Sequence, residues 1–146
     1  MADLFVYGTL KPGEVSYYLC SRQVVRSHSA AIEGSIYHLP LGYPAVTLEQ
    51  TGRVMGYLLS FADDQILVKL DEYEAHAPEI LERHVPGISI EQVQYNRQQV
   101  QILNADSNHP LTCAWIYTMT LKQIHCLDGV LLPDGVWHSN QDYRTF

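Results

Sequence analysis

The chain has 146 residues, 47% of them hydrophobic and 17% charged, enough to bury a core without disulfide or metal staples and suited to a single domain, 1–146. Its formal net charge of −7, with 9 Lys and Arg scattered along the chain, excludes a phosphate-neutralising surface, so no nucleic-acid partner is expected. No apolar run approaches a bilayer-spanning length, no basic segment opens the chain as in a signal peptide, and Cys20, Cys113 and Cys126 have no CxxC spacing, which together lead us to expect a cytoplasmic protein with reduced thiols and no membrane contact.

Leu4–Tyr7 ends an apolar run and reads as a short buried strand. Gly8 and then Pro12-Gly13 turn the chain towards a helix expected over Glu14–Val25. Ala31–Leu39 alternates and reads as a second strand, followed by a shaped loop, Pro40–Val46, that carries Tyr43 between glycine and proline. Arg53–Phe61 is a further strand in which Gly56 marks a bulge or a close backbone approach. At Ala62 the period changes, and Ile66, Leu67, Leu70 and Tyr73 recur at helical spacing behind Asp63 and Asp64, so a helix is expected from Asp63 to Tyr73 or Glu74.

Pro78 and Pro86-Gly87 punctuate the next stretch, which has room for one short helix around Glu79–Arg83. Gln92–Leu103 alternates without a strongly apolar face, as expected of a strand near an edge or lining a wet cavity. After a turn, Leu111–Met119 places Leu111, Cys113, Trp115, Tyr117 and Met119 on one face, and Cys113 is expected in the core. A short helix, Leu121–Leu127, and a Gly/Pro/Trp-rich tail finish the chain. Strands and helices do not alternate regularly, which argues against a doubly wound sheet. The fold class expected is α+β: a small mixed, mainly antiparallel β-barrel with one or two packed helices.

Two places carry chemistry. A strand that turns through Gly8 towards a helix start leaves backbone N–H groups unpaired and close together, a cradle for an anion that a missing Cβ lets a ligand approach. The second is Asp71-Glu72-Tyr73-Glu74, where Glu74 would meet the negative end of a helix beside two further carboxylates. Both effects raise a carboxyl pKa, as a general acid/base at neutral pH requires, although three acids at a helix end equally suit a solvated face. Tyr37, Tyr43, Tyr95 and Tyr117 are core aromatics with hydroxyls available to a polar cavity. The seven histidines form no HxH, HExxH or Cys/His cluster, so no metal is expected, and no Walker loop or Gly-x-Ser-x-Gly elbow is present.

Four blocks resemble the gamma-glutamylcyclotransferase-like, or AIG2-like, family: Tyr7-Gly8-Thr9-Leu10; Gly34–Tyr37 with Gly42–Val46; Leu70–Glu74; and Tyr95-Asn96-Arg97 with Ala114–Tyr117. The resemblance implies a small mixed barrel with a cavity at one end, in which the backbone of Tyr7, Gly8, Thr9 and Leu10 holds the α-carboxylate of a small gamma-glutamyl substrate and Glu74 is the acid/base. The reaction implied is cyclisation to 5-oxoproline with release of an amine and needs no cofactor. Tyr37, Tyr43 and Tyr117 join the substrate-binding set. Here Ala75-His76 follows the acid where many members have glycine, and a longer stretch up to Gln94 could form a lid. The alternative is a non-catalytic module that holds a small carboxylate on the same fold. The oligomeric state is left open by the sequence.

Overall fold

The structure, a computed structural model, describes residues 1–40, 42–72 and 95–139. In chain order the elements are β1 (Ala2–Val6), β2 (Val24–Glu33), β3 (Ser35–His38), β4 (Pro44–Thr47), β5 (Arg53–Phe61), helix α1 (65–72), β6 (Asn96–Asn104), β7 (Pro110–Thr118), α2 (Leu121–Cys126) and β8 (Val130–Leu131). Five strands close into a barrel in the order β1-β5-β2-β6-β7, and β4-β3-β8 form a small separate sheet. All barrel pairings are antiparallel except the closing one, where β1 runs parallel to β7 at Leu4 and Trp115. This is the small mixed α+β barrel expected from the sequence.

β1 and the second half of β5 are apolar on both faces, for two reasons. Inside, Phe5, Ile32, Val54, Leu58, Ile102, Ala114 and Ile116 fill the barrel together with Trp137 from the tail. Outside, Leu4, Val6, Leu59 and Phe61 pack against Ile66, Leu67 and Leu70 of α1. The period change at Ala62 therefore marks a real strand-to-helix switch, and the Asp63 carboxylate accepts the Gln65 N–H at 3.0 Å at the helix start. Gly56 is a close approach, as expected: a Cβ there would lie 2.3 Å from the Val6 carbonyl oxygen.

Several expectations are corrected. The segment expected to be helical over Glu14–Val25 holds two 3-10 turns, Tyr17–Leu19 and Ser21–Gln23, and then enters β2 at Val24. Its bonds span three residues (Tyr17 to Glu14, Leu19 to Ser16, Cys20 to Tyr17), and the β-branched pair Val24-Val25 joins the sheet. The strand expected over Ala31–Leu39 is two strands divided at Gly34, where φ is 156° and a Cβ would meet the Thr47 carbonyl oxygen at 2.9 Å. Pro44, expected in a loop, opens β4.

β6 is no edge strand, since it lies between β2 and β7, but among the described residues it pairs with β2 only at Asn104 and Leu103. Cys113 is exposed, as is Leu111. The barrel-facing side of β7 is Ala114 and Ile116, and the larger residues that suggested the opposite face, Trp115 and Tyr117, look outward towards α1. The helix expected at Leu121–Leu127 is α2, held by a capping box between Thr120 and Gln123. Among the described residues no helix is long and apolar enough to cross a membrane.

Candidate active site

β1 carries the chain to the rim of the barrel, and the next four residues build one wall of a cleft. Tyr7, Gly8, Thr9 and Leu10 line it together with Phe5 and Val6, while Tyr43, Pro44, Tyr95 and Tyr117 close it from the other side. The turn after β1 uses its carbonyls internally. The Gly8 carbonyl accepts from Lys11 N–H at 3.0 Å, and the Thr9 carbonyl accepts from Ser16 N–H at 2.9 Å. The N–H groups do the reverse: among the described residues, those of Gly8, Thr9 and Leu10 donate to no protein acceptor. Three adjacent donors of one sign in a cleft wall suit a carboxylate, which takes charge-assisted hydrogen bonds from backbone amides.

The space a Gly8 side chain would take is already filled. A Cβ at Gly8 would sit 2.6 Å from Cγ of Pro44, so the absent side chain lets the β4 entry close over the turn. Pro44 is in turn held by Tyr95, whose hydroxyl donates to its carbonyl at 2.7 Å. Lys11, buried just past the cradle, donates from Nζ to the Trp137 carbonyl, and burial pushes its pKa down.

A chain of contacts leads from the cradle to α1. The Tyr7 hydroxyl donates to the Tyr117 carbonyl at 2.6 Å, and the Tyr117 hydroxyl donates to Oδ1 of Asp71 at 2.6 Å. Asp71 also receives both arms of Arg97: Nε to Oδ1 at 2.9 Å and a terminal nitrogen to Oδ2 at 3.0 Å. Arg97 and Tyr117 face each other across the β6–β7 ladder, and the guanidinium lies 4.4 Å from the centre of the Trp115 ring.

Of the residues expected at the site, Tyr7, Gly8, Thr9, Leu10, Tyr43 and Tyr117 are brought together in this cleft. Tyr37 is not: its hydroxyl donates to Gln50 at 2.7 Å, and its ring packs with Leu39, Ala45 and Ile124 beside the small sheet. Glu74, with the proposed lid up to Gln94 and its His76 and His84, lies outside the described residues. The sequence reading treated Asp71 only as like charge beside Glu74 and gave Arg97 no role. The signal for their pairing is the strand period, which puts Arg97 and Tyr95 on one face. Among the described residues no group of His, Cys, Asp and Glu could hold a metal ion.

Comparison with known proteins bears on the same residues. The family profile described as gamma-glutamyl cyclotransferase, AIG2-like, matches residues 4–139. AIG2-like protein C of Arabidopsis thaliana is 31% identical over 112 residues, which cover 75% of this chain and 54% of that protein. The gamma-L-glutamyl-butirosin B gamma-glutamyl cyclotransferase of Niallia circulans is 34% identical over 76 residues, 52% of this chain and 47% of that protein. The chain thus spans about half the length of the curated relatives it matches. The crystal structure of an AIG2-like protein from Mus musculus superposes with a TM-score of 0.61 at 18% identity, covering 98% of this chain and 92% of that one, a likeness of fold alone.

Proposed function

Because the chain belongs to the gamma-glutamyl cyclotransferase, AIG2-like, family, we propose that it cyclises a small gamma-glutamyl amine or amino acid to 5-oxoproline and releases the amine. The observation that carries this reading is the row of undonated amides at Gly8, Thr9 and Leu10 in a tyrosine-lined cleft. These amides would grip the α-carboxylate of the substrate. One end of the substrate is then fixed, and the α-amine and γ-carbonyl of the same molecule are held at attack distance. Such positioning contributes on the order of 7–11 kcal/mol in the best intramolecular cases.

The proton balance is simple. The α-ammonium gives a proton to Glu74, and the freed amine attacks the γ-carbonyl carbon to form the C–N bond of the lactam. Glu74 returns that proton to the departing nitrogen as its C–N bond breaks. The second proton left on the ring nitrogen passes, again through Glu74, to the released amine, which leaves as its ammonium. Water is neither added nor lost, and no redox step occurs. Tyr43 and Tyr117 are placed in the reading as walls for the glutamyl carbons, with the whole reaction carried by a single domain.

The test is incubation with a panel of gamma-glutamyl amines and peptides, with 5-oxoproline measured directly. We expect product with at least one substrate, and a fall of about 10²–10⁴-fold in kcat for Glu74→Gln. Product from none of them, with thermal stabilisation by a small carboxylate, would point to a binding module. Full turnover by the Glu74→Gln protein would remove the acid/base assignment.

A further inference from the structure

Lys11 follows the amide row directly and has no part in the proposed reaction. It is 5% exposed, and its ammonium donates to the Trp137 carbonyl. Both ends of that contact are fixed. The Lys11 N–H closes the turn on the Gly8 carbonyl and its own carbonyl accepts the Glu14 N–H, each at 3.0 Å, while the Trp137 indole is bonded to His38. Among the described residues no carboxylate comes within ion-pair distance of Lys11. Glu14 acts on it only from further off, and one of its oxygens, Oε2, is buried with no hydrogen-bond partner. A single neutral carbonyl is poor compensation for a cation taken out of water. The fold thus holds an unpaired positive charge close behind an anion cradle.

We infer that the Lys11 ammonium is the countercharge for a carboxylate held by the Gly8, Thr9 and Leu10 amides, and so makes the cleft select anionic over neutral ligands of the same shape. The inference rests on the reading of the site given above. Bond lengths alone keep Nζ within roughly 11 Å of the Leu10 N–H. At about that separation, with an effective dielectric constant of about 20, a unit charge changes the binding of another about tenfold. Lys11 is not among the residues that line the cleft, so it touches no reacting atom and acts through space. The amides fix where the carboxylate sits. The ammonium sets how much better a charged group binds there than a neutral one.

The experiment is titration calorimetry with 5-oxoproline and with its carboxamide, 5-oxoprolinamide, which differ by one charge at nearly constant shape. The proteins are wild type, Lys11→Gln and Lys11→Met, each with its thermal midpoint measured. Glutamine can still donate to the Trp137 carbonyl and methionine cannot, and neither is charged. In both variants the Kd of 5-oxoproline should rise about tenfold, while that of the carboxamide stays within about threefold. On a gamma-glutamyl substrate KM should rise by a similar factor with kcat little changed, as for an interaction made equally in the ground and transition states.

An undiminished preference for the carboxylate in Lys11→Gln overturns this inference alone. So does equal weakening of both ligands, with a lowered thermal midpoint, in Lys11→Met but not in Lys11→Gln, because Lys11 would then serve only to tie the turn to the tail. A wild type that binds neither ligand and makes no 5-oxoproline overturns the reading beneath it as well.

Discussion

At the scale of single residues, Gly8 shows how a small side chain serves a site indirectly. Its missing Cβ admits the Pro44 ring, and Tyr95 fixes Pro44 from the other side. Gly8→Ala would force the Pro44 ring or the turn to move, at a cost of about 1–3 kcal/mol. We expect a lower urea midpoint together with a raised KM, because the same displacement shifts the amide row. A second residue with a measurable signature is His38, whose Nδ1 accepts the Trp137 indole N–H at 3.0 Å. Burial holds its pKa below the ordinary 6.5. The unfolded chain therefore binds this proton at a higher pH than the folded one, so the stability from neutral His38 is complete above the unfolded pKa and is lost as pH falls through the folded pKa. Going from about pH 7.5 to about pH 5.5, the wild-type thermal midpoint should fall further than that of His38→Gln, which keeps an acceptor but does not titrate.

At the scale of elements, the tail after α2 is a structural component of the barrel. Trp137 is 1% exposed and packs with Phe5, Ile32 and Leu58 inside it, while its carbonyl accepts from Lys11 beside the cleft. Trp137→Ala should cost about 3–5 kcal/mol in denaturant unfolding, as expected for deletion of a large buried aromatic. The sequence disclosed the elements whose period is clean. Arg53–Phe61 coincides with β5 to the residue, and the helix after Ala62 is present because Ile66, Leu67 and Leu70 share one face. It misled where apolar residues fall on both sides of a strand. Trp115 and Tyr117 look like the inner face of β7 by size, yet α1 covers them from outside, and periodicity cannot tell a barrel interior from a helix-covered exterior. The Glu14–Val25 stretch misled for another reason: the Ser16 N–H bonds back to Thr9 and commits the segment to tight turns before a helix can propagate. Within the site, the cradle was legible because Gly8 and Pro12-Gly13 announce a turn. The Asp71–Arg97 pair was not, because it depends on the register of two distant elements.

At the scale of the whole molecule, the cleft stands at the one seam of the barrel where strands run in the same direction. Leu4 of β1 meets Trp115 of β7 there, and these strands also supply the cradle and Tyr117. Parallel neighbours cannot be joined by a tight hairpin, so this seam forms between segments from opposite ends of the described chain. Pairings of such long sequence separation are slow to form, because loop entropy is lost before any contact is gained. A nascent chain that has not yet released β7 can therefore pair β1, β2 and β5 and already carries Tyr43 and Pro44, but it lacks Tyr117 and the strand that closes on β1. The cleft is therefore completed only when β7 closes the ring against β1.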